Sequence, residues 1–255
     1  MRSNRFQDKV VLVTGGNSGI GRATAKAFGR EGAVVVIAAR REDAGRAVVE
    51  EIHNEKGRAR FIRTDVRQKQ DIENLFRIIR DEYGRLDCAF NNAGVSSSSM
   101  RRFVNTTMEE WNQMMSTNVK GVWFCMKHEI PLMVKEGGAI VNNSSIAGIC
   151  TEVGLSIYAA SKHAVLGLTR AAALDYAHKN VRINAVCPGF IHTPMLEEPW
   201  KDNPRIKDLT LAMIPMKRFG KPEEIAGAVL WMCSEEASFM TGREMVIGGG
   251  QAIHS

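Results

Sequence analysis

Val10-Val11-Leu12-Val13-Thr14-Gly15-Gly16-Asn17-Ser18-Gly19-Ile20-Gly21-Arg22 begins as an apolar, β-branched run and ends in a glycine-rich turn. The run is short and unbroken, as a strand buried on both faces is. Residues 19–30 then place Ile20, Ala23, Ala27 and Phe28 at helical spacings. Glycines at such a strand-to-helix turn let the backbone approach a pyrophosphate closely, and the helix start offers free N–H groups and a positive dipole end. The spacing is Gly15-x-x-x-Gly19-x-Gly21, not a literal G-x-G-x-x-G, and the Gly-Lys-Ser/Thr ending of a triphosphate loop is missing. A turn that merely joins strand to helix is the competing explanation. Its place directly after the first strand favours nucleotide binding.

The same alternation continues outward. Apolar runs recur at Val34–Ala38, Phe61–Ile62, Cys88–Phe90, Ala139–Val141, Val181–Val186 and Met245–Ile247. Helical stripes fall between them over 69–83, 107–130, Ser156–Ala177 and Pro222–Cys233, and the stripe from Trp111 through Met114 to Met126 reads as packing. Alternating strands and helices predict one α/β domain over residues 1–255. It is a doubly wound, seven-stranded parallel sheet flanked by about six helices on its two faces, with a ligand crevice at the strands' carboxyl ends.

Composition agrees. With 255 residues, 44% hydrophobic and 24% charged, the chain is neither collagen-like, nor disordered, nor a coiled coil. No run reaches the roughly 18 apolar residues of a membrane span, and Met1–Lys9 lacks the apolar core of a signal peptide. A soluble, cytoplasmic protein is expected. Its five cysteines, Cys88, Cys125, Cys150, Cys187 and Cys233, contain no C-x-x-C pair, so neither a disulfide framework nor a metal site is expected. Free cysteines pack as small hydrophobes. The net charge of +6 suits solubility or an anionic partner. Its basic groups at Arg40-Arg41, at Arg58, Arg60 and Arg63, and at Arg101-Arg102 are not interleaved with aromatics, which argues against nucleic acid.

A carboxylate at the tip of the second strand would bond the ribose 2′-hydroxyl of NAD. Here the strand ends Ile37-Ala38-Ala39-Arg40-Arg41, while Glu42 and Asp43 fall in the first turn of the next helix, where acidic residues are expected anyway. An arginine at that tip can hold a 2′-phosphate, so NADP is favoured over NAD. Solvated arginines, or Arg40 stacked on adenine, are the alternatives.

Ser145 lies at the exit of a central strand, and Tyr158 and Lys162 follow on one helical face, about 6 Å apart along its axis. A free tyrosine ionises near ~10. A neighbouring ammonium favours the phenolate and makes tyrosine a usable acid/base. A Tyr-x-x-x-Lys pair alone is common by chance; its company behind a nucleotide turn raises its meaning.

Together Thr14-Gly15-x-x-x-Gly19-x-Gly21, Asp65-Val66, Asn91-Asn92-Ala93-Gly94, Asn118, Ser145, Tyr158-x-x-x-Lys162 and Pro188-Gly189 resemble the short-chain dehydrogenase/reductase family, from Lys9 to about Ala252. The resemblance implies a Rossmann fold and hydride transfer between a nicotinamide and a secondary alcohol or ketone. Tyr158 would exchange the proton, Ser145 would bond the reacting oxygen, and Lys162 would bind the nicotinamide ribose and lower the tyrosine pKa. Asn118 would hold a water linking Lys162 to solvent. Cofactor contacts would come from Gly15, Asn17, Ser18, Gly19, Ile20 and Gly21, and from Arg40. Asp65 and Val66 would meet the adenine, and Asn92, Ala93 and Gly94 would line the ribose side. Pro188, Gly189, Ile191 and Thr193 would meet the carboxamide. No metal is implied. The family's enoyl-reductase branch uses a longer tyrosine-to-lysine spacing, absent here.

Substrate walls are expected from Ser96–Phe103, Ile146–Ile157 and a lid at about 193–217, since some 20 residues without a strand usually serve function. Met195, Leu196, Trp200 and Met213 suggest a partly hydrophobic substrate, with Glu152 and His192 as polar candidates. Two other readings are a β-ketoacyl-carrier-protein reductase and a non-catalytic NADP(H)-binding sensor. The resemblance also implies a homo-oligomer, a tetramer built through the helices at 107–130 and 156–177.

Overall fold

Strand β1 (Val10–Thr14) is buried at every position. Successive side chains of a strand face opposite sides, and here both sides are apolar. Val10 and Leu12 enter one core, Val11 and Val13 another. The computed structural model describes residues 4–96, 101–203 and 205–252. In it β1 joins β2 (Val34–Ala39), β3 (Arg58–Arg63), β4 (Cys88–Asn91), β5 (Gly138–Asn143), β6 (Val181–Pro188) and β7 (Glu244–Ile247). The sheet is parallel throughout, in the order β3-β2-β1-β4-β5-β6-β7.

The helices are α1 (Gly19–Arg30), α2 (Glu42–Asn54), α3 (Lys69–Tyr83), α4 (Met108–Met114), α5 (Gly121–Met133), α6 (Ser156–Tyr176), α7 (Pro194–Asp202), α8 (Arg205–Ala212) and α9 (Pro222–Cys233). One face of the sheet is covered by α1, α2 and α9 through Phe28, Ile52 and Val229. The other is covered by α3, α5 and α6 through Leu75, Met126 and Val165. Phe28, Leu12, Ile37 and Leu75 are fully buried, and each such side chain contributes roughly 1.5–3 kcal/mol. The core therefore needs no crosslink, and all five cysteines are free thiols.

The winding reverses between β1 and β4, which opens a crevice beyond their carboxyl ends, at Thr14-Gly15 and Asn91-Asn92. Two expectations need correction. The segment 107–130 is not one regular helix: a π-helical stretch, Met115–Lys120, separates α4 from α5. A π turn adds a residue per turn, so a stripe extrapolated at 3.6 drifts. Met114, Val122 and Met126 are buried, but Trp111 is exposed. Strand β3 lies at the sheet edge, and its exposed Arg58 and Arg60 pair with Asp8 and Glu82. Secondly, the strandless segment at 193–217 contains two helices, α7 and α8, so the helix count exceeds six. Among the described residues no helix is long and apolar enough to cross a membrane, and no His, Cys, Asp and Glu group could hold a metal.

Candidate active site

The turn after β1 depends on absent side chains. Gly15 and Gly19 have φ of +63° and +51°, a left-handed backbone that glycine adopts without strain. A Cβ on Gly21 would collide with the Gly15 carbonyl and lie 2.5 Å from Asn92 Nδ2. Ser18 is the extended cap residue before α1. Asn17, Ser18, Gly19 and Ile20 stay partly open to the crevice. Thr14 Oγ1 accepts from the Asn92 and Ala93 amides, at 3.0 and 3.1 Å. Asn92 Nδ2 donates to the carbonyls of Thr14 (3.1 Å) and Gly15 (3.2 Å).

That link extends across the sheet. Asn143 Nδ2 donates to Asn92 Oδ1 at 3.0 Å, and Lys162 Nζ donates to the Asn143 carbonyl at 2.8 Å. The phosphate-type turn and the candidate lysine thus share one chain of hydrogen bonds through two strand tips. Lys162 Nζ also stands 5.7 Å from the Tyr158 ring centroid, the i and i+4 relation expected from sequence. Ser145 caps the short turn Ile146–Gly148, its Oγ accepting from the Ala147 amide at 3.1 Å. Its hydroxyl also hydrogen-bonds the Tyr158 oxygen.

Asn118 sits in the π stretch and is buried. Its Oδ1 accepts from the Val95 amide at 2.8 Å, and its Nδ2 donates to the Val95 carbonyl at 2.9 Å and to Ser161 Oγ at 3.1 Å. Gly94 leaves the space between Asn118 and Lys162 open: a Cβ there would lie 3.3 Å from Asn118 Oδ1 and 3.7 Å from Lys162 Nζ.

Burial dominates the electrostatics. It pushes the Tyr158 hydroxyl above its ordinary value, with the hydrogen bond from Ser145 pulling the other way. It pulls Lys162 down to about 8. The expectation that the lysine acidifies the tyrosine is therefore overridden here by desolvation, which penalises both charged forms at once.

At the adenine end, Asp65 is held well below the usual carboxylate range by Arg67, which clasps it through Nε and Nη2, with a smaller effect from Arg40. Asp65 also accepts from the Arg67 amide, so it orders its own loop. Val66 packs on Gly121. Arg40 is exposed beyond the tip of β2 and forms no salt bridge among the described residues. On the far side, Pro188 ends β6, Gly189 donates to the Ile247 carbonyl at 3.0 Å, and Ile191 bridges to Gly220. Thr193 closes on the first helix, its Cγ2 being 3.2 Å from where a Cβ on Gly19 would stand.

Of the expected substrate walls, 97–100 lie outside the described residues. Glu152 is half-buried, and burial raises its carboxyl. His192 pairs with Glu197 (Nε2 to Oε1, 2.8 Å) and stacks with Trp200 and Phe219. Sequence reasoning missed Asn143, Ser161 and Val95. The first was legible as the polar end of an apolar strand, in the doublets Asn91-Asn92 and Asn142-Asn143. The other two are defined only by the fold.

Comparison with known proteins agrees with this geometry. A family model described as enoyl-(acyl carrier protein) reductase matches residues 15–252. The chain is 38% identical to a 3-oxoacyl-[acyl-carrier-protein] reductase of Thermotoga maritima, covering 98% of this chain and all of the relative. It is 38% identical to a cyclohexanol dehydrogenase of an Acinetobacter species, over 97% of this chain and 96% of that one. The crystal structure of a short-chain type dehydrogenase/reductase from Mycobacterium marinum superposes with a TM-score of 0.92 at 35% identity, over 98% of each chain. The chain belongs to the short-chain dehydrogenase/reductase family. As a member of that family it is an NAD(P)-dependent oxidoreductase. Equal identity to two relatives with different named substrates leaves the choice of substrate to the cleft.

Proposed function

We propose that the protein transfers hydride between NADP and a partly hydrophobic secondary alcohol or ketone, with Tyr158 as general acid/base. The observation that carries this reading is the convergence of Ser145, Tyr158, Lys162 and Asn118 beside the Gly15–Gly21 turn, linked through Asn92 and Asn143. The glycine cradle and the free Arg40 fit a dinucleotide, with Asn17, Ser18, Ile20, Ala93 and Gly94 along its length. Pro188, Gly189, Ile191 and Thr193 would hold its carboxamide end. When bound, the nicotinamide supplies or accepts the hydride. Tyr158 gives a proton to the carbonyl oxygen in reduction and takes it back in oxidation. Ser145, whose acceptor side is used by Ala147, donates its hydroxyl proton to the same oxygen. Lys162, tethered to Asn143, offers its remaining N–H groups to ribose hydroxyls. The space beside Gly94 touches both Asn118 and Lys162, and there a water would pass protons to solvent.

The four-residue spacing of Tyr158 and Lys162 supports carbonyl rather than enoyl reduction. In this reading the chain works as one domain with 193–217 as its lid, and Met195, Leu196, Trp200 and Met213 favour apolar substituents on the substrate. Exposed Trp111, Trp123 and Leu174 on α4, α5 and α6 support the homo-oligomer. Light scattering should give a multiple of 28.2 kDa, and a monomer would remove that part.

The reading is tested by following reduced-nicotinamide absorbance with NADPH and NADH against a panel of ketones and a β-ketoacyl carrier protein. Consumption with free ketones is expected. Consumption with the carrier substrate alone would replace the substrate class, and tight binding without turnover would make the protein a sensor. Arg40→Asp removes a charge-assisted phosphate contact of about 1.5–3 kcal/mol. It should lower the NADPH-to-NADH ratio of kcat/KM by roughly 10- to 100-fold. An unchanged ratio would refute the 2′-phosphate assignment.

A further inference from the structure

Glu129 stands within α5, has no exposed surface, and takes no part in the chemistry above. Its Oε2 accepts from Asn91 Nδ2 at 3.0 Å, while its Oε1 has no partner. The direction of the hydrogen bonds around it is set at their far end. Thr169 Oγ1 donates to the Val165 carbonyl at 2.8 Å, so towards Asn142 it can only accept, from Nδ2 at 2.9 Å. Asn142 Oδ1 must then face a donor, and it accepts from Asn91 Nδ2 at 3.0 Å. Both amide protons of Asn91 are thereby used, one towards Asn142 and one towards Glu129. Asn91 Oδ1 is left as a second buried acceptor without a donor.

Two orphaned acceptors thus belong to two groups that already share a hydrogen bond. As a carboxylate, Glu129 would leave both unsatisfied and put an uncompensated charge into the apolar core, which is strongly unfavourable. One proton on Oε1, shared with Asn91 Oδ1, would satisfy both. We propose that Glu129 is a neutral carboxylic acid that closes a two-bond acid–amide ring with Asn91, and so acts as a positioning residue for the tips of β4 and β5. Asn91 is the register partner of both Thr14 and Asn142. The next residues, Asn92 and Asn143, hold the Gly15 turn and Lys162.

The groups facing Glu129 from β4, β5 and α6 are Asn91, Asn142 and Thr169, none of which titrates. On α5 itself the Cys125 thiol, one turn back, is kept neutral by burial. Burial is the dominant influence on Glu129, opposed only by Asn91, and it raises the carboxyl to about 8.

The full-length protein and its Glu129→Gln and Glu129→Leu variants are melted from pH 5 to pH 9, and their cofactor KM is measured over the same range. Glutamine carries a permanent donor beside its acceptor and reproduces the ring. The folded chain keeps a proton that the unfolded chain releases above about 4.5. The stability this proton contributes is full below that pH and is lost as pH rises through about 8. Wild type and the glutamine variant should melt together at pH 5, and the variant should lead by on the order of 10 °C at pH 9. A gap that does not change with pH overturns the protonated state. The wild-type-to-glutamine ratio of cofactor KM should rise over the same interval, with leucine impaired at every pH; a flat ratio overturns the positioning role. Should leucine fail to fold, the glutamine comparison decides alone. The positioning half rests on the proposed cofactor site, whereas the melting curves need no activity, so the two failures are distinguishable.

Discussion

Tyr158→Phe abolishes turnover while leaving nicotinamide binding in place. Phenylalanine keeps the ring that packs beside Lys162 and removes only the hydroxyl, so the cleft changes by one atom. General acid/base groups supply about 10²–10⁴-fold of rate, and a loss of at least that size is expected, with cofactor Kd within about twofold, well under the ~1.4 kcal/mol of a tenfold change. Wild-type kcat in the phenylalanine variant would end the mechanism. The pH profile supplies a second arm. Burial raises Tyr158 and lowers Lys162 to about 8, so the pair holds both protons below that pH and loses the first near it. That first proton is the Lys162 one, and Tyr158 exchanges its own through the proposed relay that ends there. Oxidation, which needs a proton acceptor, should rise with pH up to about 8 and then level. Reduction, which needs the donor, should fall as the pair deprotonates. Any residual activity of the phenylalanine variant should lack this limb.

Gly21→Ala should remove cofactor binding by opening the turn before α1. The added methyl meets the Gly15 carbonyl and carbon and lies 2.5 Å from Asn92 Nδ2. Two of those three atoms are backbone, and the third is the amide that ties the turn to β4, so no flexible side chain can yield. Overpacking of this kind costs typically 1–3 kcal/mol, or roughly 2–10 °C in Tm for a chain of this size. The larger effect is on binding, because the displaced groups are those proposed to face a phosphate; a cofactor Kd raised at least 100-fold, worth about 2.7 kcal/mol, is expected. Gly167→Ala is the control. Its Cβ on α6 would meet nothing within 4 Å, so stability should hold or improve by up to ~1 kcal/mol. Wild-type affinity in Gly21→Ala would show that the cradle is not where the dinucleotide lies.

Much of this was legible in the sequence, for local reasons. The strands declare themselves because a sheet covered on both faces needs unbroken apolar runs, and Val10–Thr14 or Val34–Ala39 can do nothing else in water. Tyr158 and Lys162 lie one helical turn apart, so their meeting needs no long-range information. Asn92 meets Asn143 and Ser145 only through the strand order, which brings the tips of β4 and β5 level across the crevice. The edge position of β3 was hidden because Arg58, Arg60 and Arg63 describe exposure without saying what covers a strand. Trp111 was misplaced because a periodicity argument assumes an unbroken helix. Glu129 was readable as a charge three residues from Met126 on an apolar stripe, yet nothing local says that Asn91 waits opposite.

The wide turn at Met115–Lys120 makes the rod that carries Asn118 into two rulers with different zero marks. Residues of α4 and α5 numbered as if they shared one scale are rotated about a third of a revolution apart from where they stand. Deleting one residue there would restore a single 3.6-residue scale and swing Asn118 away from Val95. The amide clasp on Val95 would then be gone.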